Sequence, residues 1–185
     1  MGMETLPFNM EYVYGKQLRE VPVNADDMLK GTNYLIDLLH NDLVEKRTKA
    51  KWCSWIGVYS RILGDVSVSE QYLLQSINLY KELDDYNQIF VSSLRLAVTY
   101  QWKGQYDQAI ACLQQLLSEV DGRTELETYR DFVYQHLGKC YFEQGAYREA
   151  IDFFMKAYVI RQVKGDEKLL QSTEYALSQC KAATV

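Results

Sequence analysis

Apolar residues along this chain return at helical intervals, and the intervals themselves repeat. Ile56-Gly57, Leu96-Ala97 and Leu137-Gly138 each open a copy of one pattern, followed by a glycine (Gly64, Gly104, Gly145), a small residue (Ser69, Ala109, Ala150) and a bulky one (Leu73, Leu113, Phe154). The copies are offset by 40 and then 41 residues. Apolar positions four apart share a helix face, and a fixed period of this length marks helical hairpins stacked side by side rather than one closed core. Small residues where the two helices of a hairpin cross let the backbones approach closely. The glycines end the first helix, where a left-handed residue must turn the chain.

Capping signals predict where the elements begin and end. Asn24, followed by Asp26 and Asp27, starts a helix that runs to about Val44 with Leu29, Ile36, Leu39 and Leu43 on one side. One period subtracted from the first copy lands on residues 26 to 41, so this helix reads as half of a degenerate repeat. Further helices are predicted over 46–63, 67–82, 85–103, 106–121, 125–144, 147–163 and 167–182. Ser67 with Glu70, and Thr124 with Glu127, have the spacing of a capping box. Gly165-Asp166 separates the last two helices, and the last one, polar through Lys168, Gln171, Ser172 and Glu174, is expected to cap the array. Residues 1–23 do not follow the helical period. Tyr12-Val13-Tyr14-Gly15-Lys16-Gln17-Leu18 instead predicts an N-terminal arm, extended or folded as a short hairpin, that either packs along the first helices or engages a partner. The expected organisation is that arm followed by a single helical-repeat domain, 24–183, with repeats near 50–89, 90–130 and 131–164 and a capping helix over 167–182.

The pattern resembles the tetratricopeptide repeat family, whose signature sets a bulky residue, Leu-Gly, Tyr, Ala, Phe and Ala at fixed intervals. The third copy carries it most fully, with Tyr134, Leu137-Gly138, Tyr141, Gly145, Tyr147, Ala150, Phe154 and Ala157 in register. The second has Leu96-Ala97, Tyr100, Gly104, Tyr106, Ala109 and Leu113 but Leu116 at the last small position. The first places Ser60 at the tyrosine position and Ser69 and Ser76 at the alanine positions. The family's usual period is about 34 residues. The longer period here adds about one helical turn to each helix and deepens the groove, as in the long repeats of bacterial peptide-sensing regulators and cell-polarity adaptors. The resemblance implies an all-α, right-handed solenoid of antiparallel hairpins.

Composition narrows the function classes. Pro7 and Pro22, the 2 prolines, both precede the helical region, and 48% apolar with 24% charged residues suits a folded chain. Apolar stretches fall well short of the roughly 18 residues needed for a membrane span, and no secretion signal is evident, so a cytoplasmic protein without membrane attachment is expected. Cys53, Cys112, Cys140 and Cys180 include no CxxC pair, and His40 and His136, the 2 histidines, lack ligands at helical spacing. No metal and no cofactor is therefore expected. Phosphate loops and nucleophile elbows are absent, carboxylate pairs such as Asp84-Asp85 sit at helix starts as caps, and no catalytic residue is assigned. A net charge of −5 disfavours nucleic acid. The cationic run Lys46-Arg47-Lys49-Lys51, beside Glu45, reads as a solvated face.

What remains is the groove. Positions of the first helix that face the inner surface in this family map onto Trp55, Val58 and Arg61, then Leu94, Arg95, Val98 and Trp102, then Phe132, Gln135, His136 and Lys139. Aromatic groups interleaved with cations suit a protein or peptide partner that is acidic and carries apolar anchors. The carboxylate clamp of chaperone-binding relatives is missing, because Ser54 and Val58 stand where Lys and Asn are required. The expected function is a non-catalytic adaptor. The alternatives are a regulatory peptide-sensing or inhibitory accessory subunit, and a self-associating structural protein that forms a homodimer.

Overall fold

The computed structural model describes residues 6–15, 18–41 and 43–183. Among them lie two short strands, β1 (Tyr12–Tyr14) and β2 (Glu20–Pro22), and eight α-helices: α1 (Ala25–Leu39), α2 (Lys46–Ile62), α3 (Val66–Lys81), α4 (Tyr86–Trp102), α5 (Tyr106–Gly122), α6 (Arg130–Glu143), α7 (Tyr147–Lys164) and α8 (Glu167–Ala183). A 3-10 helix, Thr124–Tyr129, precedes α6. The fold is all-α and of the helical-repeat type. It divides into two compact units, Met1–Lys103 and Gly104–Val185.

In the first unit the chain opens as an antiparallel ribbon in which Tyr12 faces Pro22, Val13 faces Val21 and Tyr14 faces Glu20. Lys16 and Gln17 lie outside the described residues. Asn24 then caps α1 by accepting from the Asp27 amide at 3.0 Å. The segment before the ribbon lies on α1 where Gly31 leaves room, since a Cβ there would meet Met10 Sδ at 2.4 Å. Met28 and Leu35 of α1 join Trp52, Trp55, Ile56, Tyr59 and Ile62 of α2 in one buried cluster. Fully burying such side chains stabilises a fold by about 1.5–3 kcal/mol each.

Helices α2 and α3 form a tight hairpin because Gly57 has no side chain. A Cβ there would stand 2.5 Å from Leu73 Cγ and 3.1 Å from the Ser69 carbonyl oxygen. Gly64 takes φ +92° at the turn, in the left-handed region that glycine enters without penalty. The serines of this first copy are explained by their hydroxyls. Ser76 donates to the Ala50 carbonyl at 2.9 Å and meets Ser92 Oγ at 3.0 Å, while Ser69 meets Thr99 Oγ1 at 2.8 Å. They tie α3 to α2 and α4, so the weaker family match keeps the small size and adds buried hydrogen bonds.

Two capping expectations are corrected. Helix α3 is capped by Asp65, whose carboxylate accepts from the Val68 amide at 3.1 Å, and Glu70 instead pairs with Lys103 Nζ at 2.6 Å. A carboxylate one residue before the first turn displaced the Ser67 box. At the next junction Asp84 takes the left-handed role that glycine fills elsewhere, with φ +50°, and Asp85 caps the Gln88 amide.

In the second unit the Thr124 box also fails to form: no side chain caps the 3-10 helix, and α6 begins at Arg130 rather than near 125. Arg130 explains the departure. It grips Glu127 through Nε and Nη2 at 2.7 and 2.8 Å and reaches back to Asp121 at 2.7 Å, so Glu127 is drawn to the guanidinium instead of to a backbone amide. Helices α6 and α7 repeat the close crossing, since a Cβ on Gly138 would meet Phe154 Cε1 at 2.5 Å. Gly165, left-handed at φ +70°, closes α7, and Asp166 caps α8 at the Leu169 amide.

Candidate functional site

The groove residues expected from the sequence fall into both units. In the first, Arg61 stands on the last turn of α2 and Arg95 and Trp102 on α4. The N-terminal ribbon lies against them. Glu20 Oε2 of β2 is 3.5 Å from Arg61 Nη1, and the two side chains are only 8% and 6% exposed. Arg19 Nη1 donates to the Trp102 carbonyl at 3.5 Å. The guanidiniums of Arg19 and Arg61 both sit over the Trp102 ring, 5.1 and 5.3 Å from its centroid, within range for cation–π attraction.

The electrostatics of this cluster are those of crowded cations. Arg95 donates to Ser54 Oγ at 2.6 Å. Its pKa is pulled below the ordinary guanidinium range, first by burial and then by the neighbouring Arg61, with Tyr80, Tyr59 and Tyr12 acting the other way. Burial pushes the Tyr59 hydroxyl up to about 12 against the opposing field of Arg95. Tyr12 keeps 44% of its surface in water, yet its hydroxyl also titrates above its usual value. Desolvation leads there, Glu20 adds to it, and Arg61 and Arg95 oppose it.

The hydrogen bonding here is incomplete. Arg61 Nε, Arg61 Nη1 and the Tyr59 hydroxyl are all out of water without a hydrogen-bond partner. Leaving one such group unsatisfied costs about 1–3 kcal/mol, and more for a charged one. The cluster holds three guanidiniums, those of Arg19, Arg61 and Arg95, and one carboxylate, that of Glu20. Nothing in it resembles a nucleophile activated by a base.

Several expected groove residues serve packing instead. Trp55 is 7% exposed and belongs to the α1–α2 cluster, with Val58 packed on its edge; Lys51 Nζ covers its ring at 4.6 Å. Leu94 and Val98 are buried. Trp55 thus joins the buried cluster of α1 and α2, whereas Trp102 stays half-buried.

In the second unit α8 covers part of the corresponding face. Thr173 Oγ1 of α8 donates to Gln135 Oε1 at 3.1 Å, and both residues are buried. Phe132 is half-buried beneath Arg161 and Lys164, 5.3 and 5.7 Å from its centroid. His136 is half-buried and Lys139 buried. Arg161 centres a network out of water: Nε donates to Asp131 Oδ2 at 2.8 Å and Nη1 to Thr173 Oγ1 at 2.8 Å, while Lys164 meets Asp131 Oδ1 at 2.5 Å. Lys164 also reaches the Thr128 carbonyl at 2.6 Å. These bonds fasten the last helix to α6 and α7.

Sequence reasoning missed Glu20, Arg19, Tyr12 and Tyr59. The available signal was charge inside a β-patterned arm: Arg19-Glu20 follows Tyr12-Val13-Tyr14, and a buried carboxylate needs a buried cation, which Arg61 supplies.

Known proteins place the fold. The tetratricopeptide repeat family model matches residues 88–163. No curated protein sequence matches the chain significantly. Among solved structures, the nearly identical TPR-like repeats of a Podosopora anserina protein assigned as a kinesin light chain superpose with a TM-score of 0.62 at 14% identity, covering 86% of this chain and 79% of that one. The apo form of RapI gives 0.68 at 16% identity, covering 88% of this chain and 58% of RapI. MamA gives 0.50 at 15% identity over 86% and 90% of the two chains. Among the described residues no helix is long and apolar enough to cross a membrane. Residues 88–163 thus match the tetratricopeptide repeat, and the chain shares a TPR-like helical-repeat fold over most of its length.

Proposed function

We propose that the protein is a non-catalytic adaptor that holds another protein or peptide on the inner face of its repeats, with the Arg61–Arg95–Trp102 cluster of the first unit as the principal contact. The observation that carries this reading is the set of buried donors at Arg61 and Tyr59 that no group of the described residues satisfies. Desolvated guanidiniums beside an indole favour a partner segment that brings a carboxylate and an apolar or aromatic anchor. The positive cluster sets orientation and partner choice. In the second unit the half-buried Phe132 and His136 contribute a smaller contact, and the buried Gln135 and Lys139 support it. Four cysteines without disulfides suit a reducing compartment such as the cytoplasm.

Capture from a native extract tests the reading. The wild-type chain and the double variant Arg61→Gln, Arg95→Gln, matched for helical content by circular dichroism, are cross-linked and their partners read by mass spectrometry. The adaptor reading predicts partners that the double variant loses, and an identical partner set contradicts it. Light scattering over a range of concentrations tests the competing self-associating role, which requires a dimer.

A further inference from the structure

The ribbon β1–β2 fills the place where a partner strand would lie, and three features of it belong together. It is short: two strands of three residues, in a class of structure that is marginal on its own in water. It is amphipathic across its thickness, with Leu18 and Glu20 buried while Tyr12, Val13, Tyr14 and Val21 remain exposed. It is also held at some internal cost, because Leu18 adopts φ +61°, a left-handed backbone that a branched side chain rarely enters.

Its fit to the groove is incomplete. Glu20 neutralises Arg61 across 3.5 Å, yet Arg61 Nε and Nη1 and the Tyr59 hydroxyl gain no hydrogen bond from it. A carboxylate presented from a differently shaped strand could meet the guanidinium with two parallel hydrogen bonds, a geometry that is shorter and stronger than a bare ion pair. Arg61 and Arg95 repel one another here, so the site favours a carboxylate over an uncharged or basic occupant. The ribbon supplies one that is adequate and displaceable.

We propose that the N-terminal ribbon is a ligand in cis, with Glu20 standing in for the carboxylate of an extended acidic peptide that binds the same groove in trans, so that the partner must displace strands β1 and β2 to bind. This deepens the adaptor reading and rests on it. The device gates access: partners that bring a better-placed carboxylate and an aromatic side chain for the Trp102 face displace the ribbon, and weaker ones do not. Displacement would also release Tyr12, Val13 and Tyr14, an exposed β-favouring segment, from the repeats.

The test uses the full-length chain and, as probe, a fluorescein-labelled synthetic peptide of residues 6–23, followed by anisotropy. Wild type is compared with Glu20→Gln, with Tyr12→Ala and with the two combined. The expected result is at least tenfold tighter probe binding by the combined variant than by wild type. That gain disappears when the probe itself carries Glu20→Gln, and when Arg61→Gln is added to the chain. Equal binding of the probe by wild type and by folded variants overturns the proposal. Hydrogen exchange on the wild-type chain gives a second reading that needs no variant: excess unlabelled peptide should speed exchange at the amides of residues 12–14, 20 and 21 by tenfold or more, and unchanged protection overturns the proposal. A wild-type chain that captures a native partner while its ribbon amides stay protected sinks the cis-ligand idea and leaves the adaptor reading standing. Absence of any captured partner sinks both.

Discussion

Arg161 Nε donates to Asp131 Oδ2 at 2.8 Å with both side chains essentially out of water. The pair joins α6 to α7, and through Arg161 Nη1 and Thr173 it also holds α8. Replacing Asp131 by Asn would leave Arg161 and Lys164 without their counter-charge in a desolvated place. Removing one partner of such a pair costs about 3–5 kcal/mol. The expected outcome is a drop of that size in urea unfolding, with early loss of amide protection along α8. An unchanged midpoint would show that α8 is held by its apolar contacts alone.

The hairpin crossing predicts a substitution that acts against helix propensity. Exchanging Gly138 for Ala should favour a helix by about 1 kcal/mol, but the added methyl would meet the fully buried Phe154 ring at 2.5 Å. Overpacking of this kind costs about 1–3 kcal/mol. Net destabilisation is expected in denaturant titration, and it should be relieved when Phe154→Leu is added. At Gly64 the added methyl meets nothing within 4 Å, so any cost of Gly64→Ala comes from its φ of +92° alone.

Alkaline pH should loosen the fold. Burial pushes the Cys53 and Cys140 thiols and the Tyr59 hydroxyl up to about 12, from ordinary values of 9.0 for the thiols and 10.0 for the phenol. Between those limits the unfolded chain has lost these protons and the folded chain has kept them, so stability is full below about pH 9 and falls as pH rises toward 12. Each such group contributes a slope of about 1.4 kcal/mol per pH unit. Urea midpoints measured from pH 8 to 11 should decline steadily. The same burial predicts that Cys53 and Cys140 resist a thiol-labelling reagent at pH 8 until the protein is unfolded, whereas the half-buried Cys112 reacts sooner.

The repeat was legible because its physics is local. Gly57 and Gly138 mark close crossings, and Gly64, Gly104 and Gly145 take positive φ at the turns, each a choice that one residue type makes almost alone. The capping boxes expected at Ser67 and Thr124 do not form because such a box competes with nearby carboxylates and guanidiniums: Asp65 caps α3 and Arg130 draws Glu127 away, and neither outcome follows from spacing. The groove was legible only in part. Arg95 and Trp102 are half-buried, whereas Arg61, Trp55, Leu94 and Val98 are buried. What covers a helix face is decided by segments distant in sequence, here by α1 against Trp55 and by Glu20, which lies 41 residues before Arg61. No helical period carries that pairing.

The proposed adaptor role has the cationic, indole-lined face of the first unit receive an acidic strand. Anisotropy with a panel of extended peptides of one length and one aromatic anchor, graded from basic through neutral to acidic, tests it most directly on the wild-type chain at two salt concentrations. Affinity should rise with each added carboxylate, weaken at higher salt, and collapse in Arg61→Gln. Binding that ignores peptide charge, or that survives loss of the Arg61 guanidinium, would contradict the account.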